Sequence, residues 1–113
     1  MESYILPLLL IAFFAYKFFK FHAVKKKLPE LIKAGAIVVD VRTKAEFLGG
    51  SRPDSLNVPL DVLNSMSKEL DVNKTIILCC ASGTRSAIAV GILKKNGFKS
   101  VINAGPWTNT LVE

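Results

Sequence analysis

Residues 75–87 read TIILCCASGTRSA: an apolar run, two adjacent cysteines, and a short loop of small residues closed by arginine and serine. Counted from Cys79, five residues precede Arg85; counted from Cys80, four do, giving C-x-x-G-x-R-S. A strand that ends in cysteine, turns through a glycine-containing loop and enters a helix holds its sulfur over a concave row of backbone N–H groups. Those donors and the positive end of the helix dipole favour anions. The same field lowers the thiol pKa and keeps the sulfur as thiolate, its nucleophilic form. Such a cradle accepts phosphate, arsenate, thiosulfate or a persulfide, and loop length selects among them.

The register is set by Gly83, three residues after Cys80 and four after Cys79. Cysteine-dependent phosphatases of the C-x5-R type usually place a glycine at the third position after their cysteine and often have a histidine before it. Here Leu78 precedes Cys79. Alternation along a strand also predicts that Cys79 packs into the core, while Cys80 is the first residue to leave the ladder. Cys79 therefore reads as a small buried apolar residue. Cys80 reads as the nucleophile, and a phosphatase or arsenate-type reductase using Cys79 is the runner-up. Arg85 either touches the substrate or braces the loop by pairing with a carboxylate such as Asp40; bracing is favoured.

Working outward, strands alternate with helices. Residues 36–41 (AIVVDV) form an almost unbroken apolar strand, as in a sheet covered on both faces. Thr43 and Glu46 have capping-box spacing, which predicts a short helix ending near Gly49 and Gly50. An extended stretch follows at 56–58, then a helix over 61–70, the strand 75–79, a helix over 86–96 stopped by Gly97, and a last strand at 99–103. The fold class is α/β, a parallel sheet flanked by helices.

Before this domain, residues 3–16 carry no charge, and the apolar pattern continues to Phe21 past Lys17 and Lys20. As a helix, residues 4–21 reach roughly 27 Å, close to a hydrocarbon thickness of about 30 Å. No basic residue precedes the run, and it exits through YKFFKFHAVKKK, which argues against a cleaved signal peptide. Residues 1–24 are expected to form a transmembrane anchor with the start of a basic segment, and residues 25–113 the domain. Lys17, Lys20, Lys25, Lys26 and Lys27 follow the apolar run, placing the domain on the cytoplasmic side of the cell membrane beside anionic lipid. A second short helix is expected over 28–34, stopped by Gly35.

Those five lysines also locate the formal net charge of +6. From residue 28 onward ten basic residues face eight acidic ones, a balance of +2, and no basic stripe interleaved with aromatics marks a nucleic-acid partner. Adjacent cysteines make no disulfide framework, so a reducing compartment fits. The single histidine, His22, and the absence of ligand spacing predict no metal and no cofactor.

With these motifs in place, the chain resembles a single-domain rhodanese over about residues 28–107. VVDVRTKAEFLGGSRPDSLNVPL resembles the family's early block, with Asp40, Val41 and Arg42 as its D-V-R, Glu46 and Phe47 as its E-F, and Gly50, Pro53, Asn57 and Pro59 at the expected intervals. CASGTRSAIAVGILKKNGF resembles the active-site block. The resemblance implies a persulfide on Cys80 and a sulfur and oxyanion cradle from Ala81, Ser82, Gly83, Thr84 and Arg85, leading into Ser86. Asp40 and Arg42 would have supporting roles. Sulfane sulfur would pass from a small donor such as thiosulfate to a thiol or cyanide acceptor. A membrane-tethered sulfur carrier or binding module with little turnover is the third reading, and no protein partner is indicated. Three departures stand out: Ser51 occupies the histidine position of G-H-x-P, the anchor replaces the usual first strand, and NAGPWTNTLVE replaces the Gly-Gly-aromatic closing segment. Trp107 is the expected packing anchor there.

Overall fold

The computed structural model describes residues 2–112. It places four parallel strands, β1 (Ile37–Asp40), β2 (Leu56–Asn57), β3 (Ile76–Cys80) and β4 (Val101–Pro106), in the order β2-β1-β3-β4. The helices are α1 (Ile5–Lys33), α2 (Lys44–Leu48), α3 (Leu60–Met66) and α4 (Thr84–Lys95). The parallel, helix-flanked sheet is the architecture expected from the sequence.

Alternation along β3 divides the core in two. Ile76, Leu78 and Cys80 join Val39, Val41, Leu63, Leu93 and Phe98 on one face. Ile77 and Cys79 join Val38, Ala104 and Leu28 on the other, where α1 covers the sheet with Val24, Leu31 and Ile32. Trp107 packs on this second cluster, so the expected packing anchor is found.

The amino-terminal segment departs from expectation in one respect. The apolar run and the helix predicted over 28–34 are a single helix, Ile5–Lys33, with Pro29 inside it. Pro29 lies in the last turns, where losing one amide donor is compensated by the burial of Leu28 against the sheet. Residues 5–19 are largely exposed, and this helix is long and apolar enough to cross a membrane.

A second departure lies in β4, which runs to Pro106 and not to Asn103. Gly105 reads locally as a turn, yet with φ +79° it pairs with Cys79 across an irregularity that skips Ala104. α4 begins two residues earlier than expected, at Thr84.

Candidate active site

Cys80 does not leave the ladder, as its sequence position suggested. It is the last residue of β3, pairs with Pro106, and is fully buried. The extension of β4 through Gly105 supplies the partner that keeps it in the sheet.

The chain then bends through Ala81 and Ser82, both exposed, to Gly83, which precedes α4 in the left-handed region at φ +103°. This conformation directs the Gly83 N–H onto Cys80 Sγ at 2.9 Å. A side chain at Gly83 would be strained by the backbone and would also meet Phe21 Cζ at 2.9 Å. Burial opposes ionisation of Cys80, but the hydrogen-bonding groups of Ser86, Gly83 and Ser82 around its sulfur outweigh it, so the thiol pKa falls below its ordinary value.

Asn103 shows which of those donors carries the effect. Its Nδ2 donates to Gly83 O at 3.1 Å and its Oδ1 accepts from Gly105 N–H at 2.9 Å, so two backbone groups fix the amide's orientation. Ser86 Oγ lies 2.6 Å from that same Oδ1 and 3.4 Å from Cys80 Sγ. The hydroxyl has one proton, and the shorter contact to a carbonyl oxygen claims it. Backbone N–H groups are therefore the donors to the Cys80 sulfur, and Ser86 and Asn103 hold the loop.

Cys79 is the opposite case. On the α1 face its thiol is pushed up to about 12, by burial first and then by the Asp40 carboxylate. It stays protonated at neutral pH and fills space, as expected for a small core residue.

Arg85 pairs with a carboxylate, but Asp40 is not its partner. Its Nη1 and Nη2 donate to Glu46 Oε1 and Oε2 at 2.7 and 2.9 Å. Asp40 is occupied by Arg42, whose Nε and Nη2 reach its oxygens at 3.0 and 2.8 Å. Arg42 also donates to Gly50 O at 2.7 Å and lies 4.7 Å from the Trp107 ring centre. Asp40 and Arg42 thus clip β1 to the following loop and to Trp107.

Glu46 does two jobs. It completes the capping box, accepting from Thr43 N–H at 3.1 Å while Thr43 Oγ1 accepts from Glu46 N–H at 3.2 Å. It also forks to Arg85, and these hydrogen bonds, from Arg85 first, bring its carboxyl down to about 2. Thr84 is exposed and points its hydroxyl towards that of Ser82 at 3.4 Å. Among the described residues no cluster of side chains suits a metal ion. A cavity of about 710 Å³ beside α3, lined by Asn64, Lys68, Val72 and Phe98, does not include Cys80.

Fold and loop together define a rhodanese-like domain, and the chain belongs to that family: residues 24–105 match the model of the Rhodanese-like domain. The chain is 37% identical over 75 residues to the proposed sulfur carrier protein YrkF of Bacillus subtilis (strain 168), covering 63% of this chain and 40% of that one. It is 33% identical over 67 residues to a sulfurtransferase of Allochromatium vinosum, covering 59% and 63%. Among solved structures, a rhodanese-related protein from Thermoplasma volcanium superposes with TM-score 0.63 at 36% identity, over 72% of this chain and 81% of that one. The matched region spans less than two thirds of the length of either curated relative.

Proposed function

We propose that this chain is a membrane-anchored sulfurtransferase that carries sulfane sulfur on Cys80. The observation that carries the reading is the 2.9 Å hydrogen bond from Gly83 N–H to Cys80 Sγ in a loop that enters α4. In the first step the Sγ thiolate attacks the outer sulfur of thiosulfate. The S–S bond of the donor breaks, its electron pair leaves with sulfite, and a new Sγ–S bond forms. The negative charge on the outer persulfide sulfur is met by the amides of Ala81, Ser82, Gly83, Thr84 and Ser86. An acceptor thiolate, or cyanide, then attacks that outer sulfur and returns the electron pair to Sγ. Arg85, committed to Glu46, holds the cradle closed. Because Cys80 is fully buried behind Ala81 and Ser82, small donors and slender thiols are favoured over bulky ones.

Incubation with thiosulfate followed by peptide mass analysis tests this. One added sulfur on Cys80 is expected; none, or sulfur on Cys79 alone, rules the assignment out. The C-x5-R phosphatase reading through Cys79 is disfavoured by a thiol held at about 12 on the opposite face of the sheet. The similarity to YrkF favours a second reading, a carrier that hands sulfur only to a partner. Turnover with free small thiols distinguishes enzyme from carrier.

In this reading residues 1–24 form the anchor and the start of the basic segment, and residues 25–113 form the catalytic domain, cytoplasmic by virtue of the five lysines. A reporter fused to the carboxyl end, active only when cytoplasmic, is the expected topological result.

A further inference from the structure

α1 does more than tether the domain. Val24, Leu28, Leu31 and Ile32 lie along the sheet, and Ala36 N–H closes onto Leu31 O just before β1 begins, so the carboxyl end of α1 sits at the start of the strands. Its amino-terminal part leaves at the other end. There Phe21 occupies a slot made by two glycines: a Cβ built on Gly83 would meet its Cζ at 2.9 Å, and one on Gly105 its Cδ1 at 3.0 Å. Phe18, Phe21, His22 and Lys25 border Pro106 and Asn109 at the same exit. Pro106 is the ladder partner of Cys80. The helix therefore emerges beside the catalytic loop.

Beyond Phe21 the helix stands free. Leu6, Leu8, Ile11, Phe14, Phe18 and Phe19 are each more than 60% exposed, on every side of the helix. The molecule measures 53 × 30 × 30 Å, so the apolar part extends along the long axis instead of folding back over the domain. Residues 4–21 match the hydrocarbon thickness, which puts Phe21, and Gly83 with it, where hydrocarbon gives way to headgroups.

We infer that the catalytic end of the sheet is itself the membrane-docking face, seated on the phospholipid headgroup layer through Phe21, Lys20 and Lys25. The exposed loop residues there, Ala81, Ser82 and Thr84, are small and uncharged, and the lysines complement lipid phosphates. Glu46, which forks to Arg85, and Asp40, at the end of β1, are each neutralised by an arginine. Sulfur exchange at Cys80 then takes place at the bilayer surface. This inference rests on the anchor reading above.

The test uses the full chain in phosphatidylcholine–phosphatidylglycerol vesicles containing a nitroxide-headgroup lipid. A bimane is attached at S82C or S100C in a C79A/C80S background; Ser100 precedes β4, at the far end of the sheet about 20 Å away. Severalfold stronger quenching at position 82 than at position 100 is expected. Equal quenching, or stronger quenching at position 100, overturns the inference. If the substituted chains do not fold, the single tryptophan of the unmodified chain, Trp107, which follows β4 at the catalytic end, decides: quenching supports the inference and its absence overturns it. Extraction of the unmodified chain by alkaline carbonate tests the anchor separately. A chain that resists extraction but shows no end-to-end difference retains its anchor and loses only the docking face.

Discussion

Cys79 and Cys80 are neighbours in sequence, equally buried, and opposite in chemistry. One faces Leu28 and Ala104 under α1 with no donor to its sulfur among the described residues; the other faces the α4 side and receives a backbone N–H. Burial alone pushes both thiols up, so the difference comes from a few oriented amides, which a single peptide step along a strand gains or loses. In the proposed function, reactivity follows direction more than exposure.

The harshest way to break the comparison is to exchange the sulfurs. C80A is expected to abolish persulfide formation, whereas C79A should stay within a few-fold of the unmodified rate and cost about 1 kcal/mol of packing. Thiosulfate-dependent mass shift and chemical denaturation measure the two. The next largest effect is expected from G83A. A left-handed backbone and a 2.9 Å approach to Phe21 oppose the new methyl, for a strain of roughly 1–3 kcal/mol. The pH midpoint of Cys80 alkylation should rise towards that of an ordinary thiol.

E46Q sharpens the contrast from outside the cradle. The Glu46 carboxyl is depressed to about 2, so its contribution is complete above the unfolded carboxylate value and is lost as pH falls from about 4.5 through about 2. E46Q should flatten the stability profile in that window. The effect should shrink in high salt because the pair with Arg85 is partly exposed. The smallest shift is expected from S86A. With its proton on Asn103, the Ser86 hydroxyl contributes little to ionisation of Cys80, and the alkylation midpoint should move less than in G83A. A rise as large as that of G83A would instead make the hydroxyl a principal donor to sulfur.

Features set by local chemistry were legible in the sequence. The capping box, the Gly83 offset, the strand–loop–helix order and the two-residue alternation that separates the cysteines all depend on near neighbours. Features that depend on distant partners were not. Asn103 is an unremarkable residue in a short strand until β4 lies beside the loop. Asp40 ends β1 and Glu46 lies in α2, and only the observed fold shows that Arg42 claims the first and leaves the second to Arg85. The positions of Cys80 in the ladder and of α1 as one unbroken helix follow from β4 reaching Pro106 and from Leu28 being buried on the sheet.

The all-parallel sheet also constrains how the chain is made. Among the described residues no strand pairs with a neighbour through a tight hairpin; β3 must wait for β4, and the core beneath α1 needs both Ala104 and Trp107. With translation at about 5–20 residues per second, the apolar helix is synthesised seconds before the strands that bury Leu28. During that interval Val24, Leu28, Leu31 and Ile32 have no sheet to cover, and strand pairing of high sequence separation is slow. In the anchor reading, early capture of the helix by the bilayer would hold this apolar stripe beside a surface while the rest of the chain arrives, so that membrane insertion would precede folding and would shield the nascent chain from aggregation.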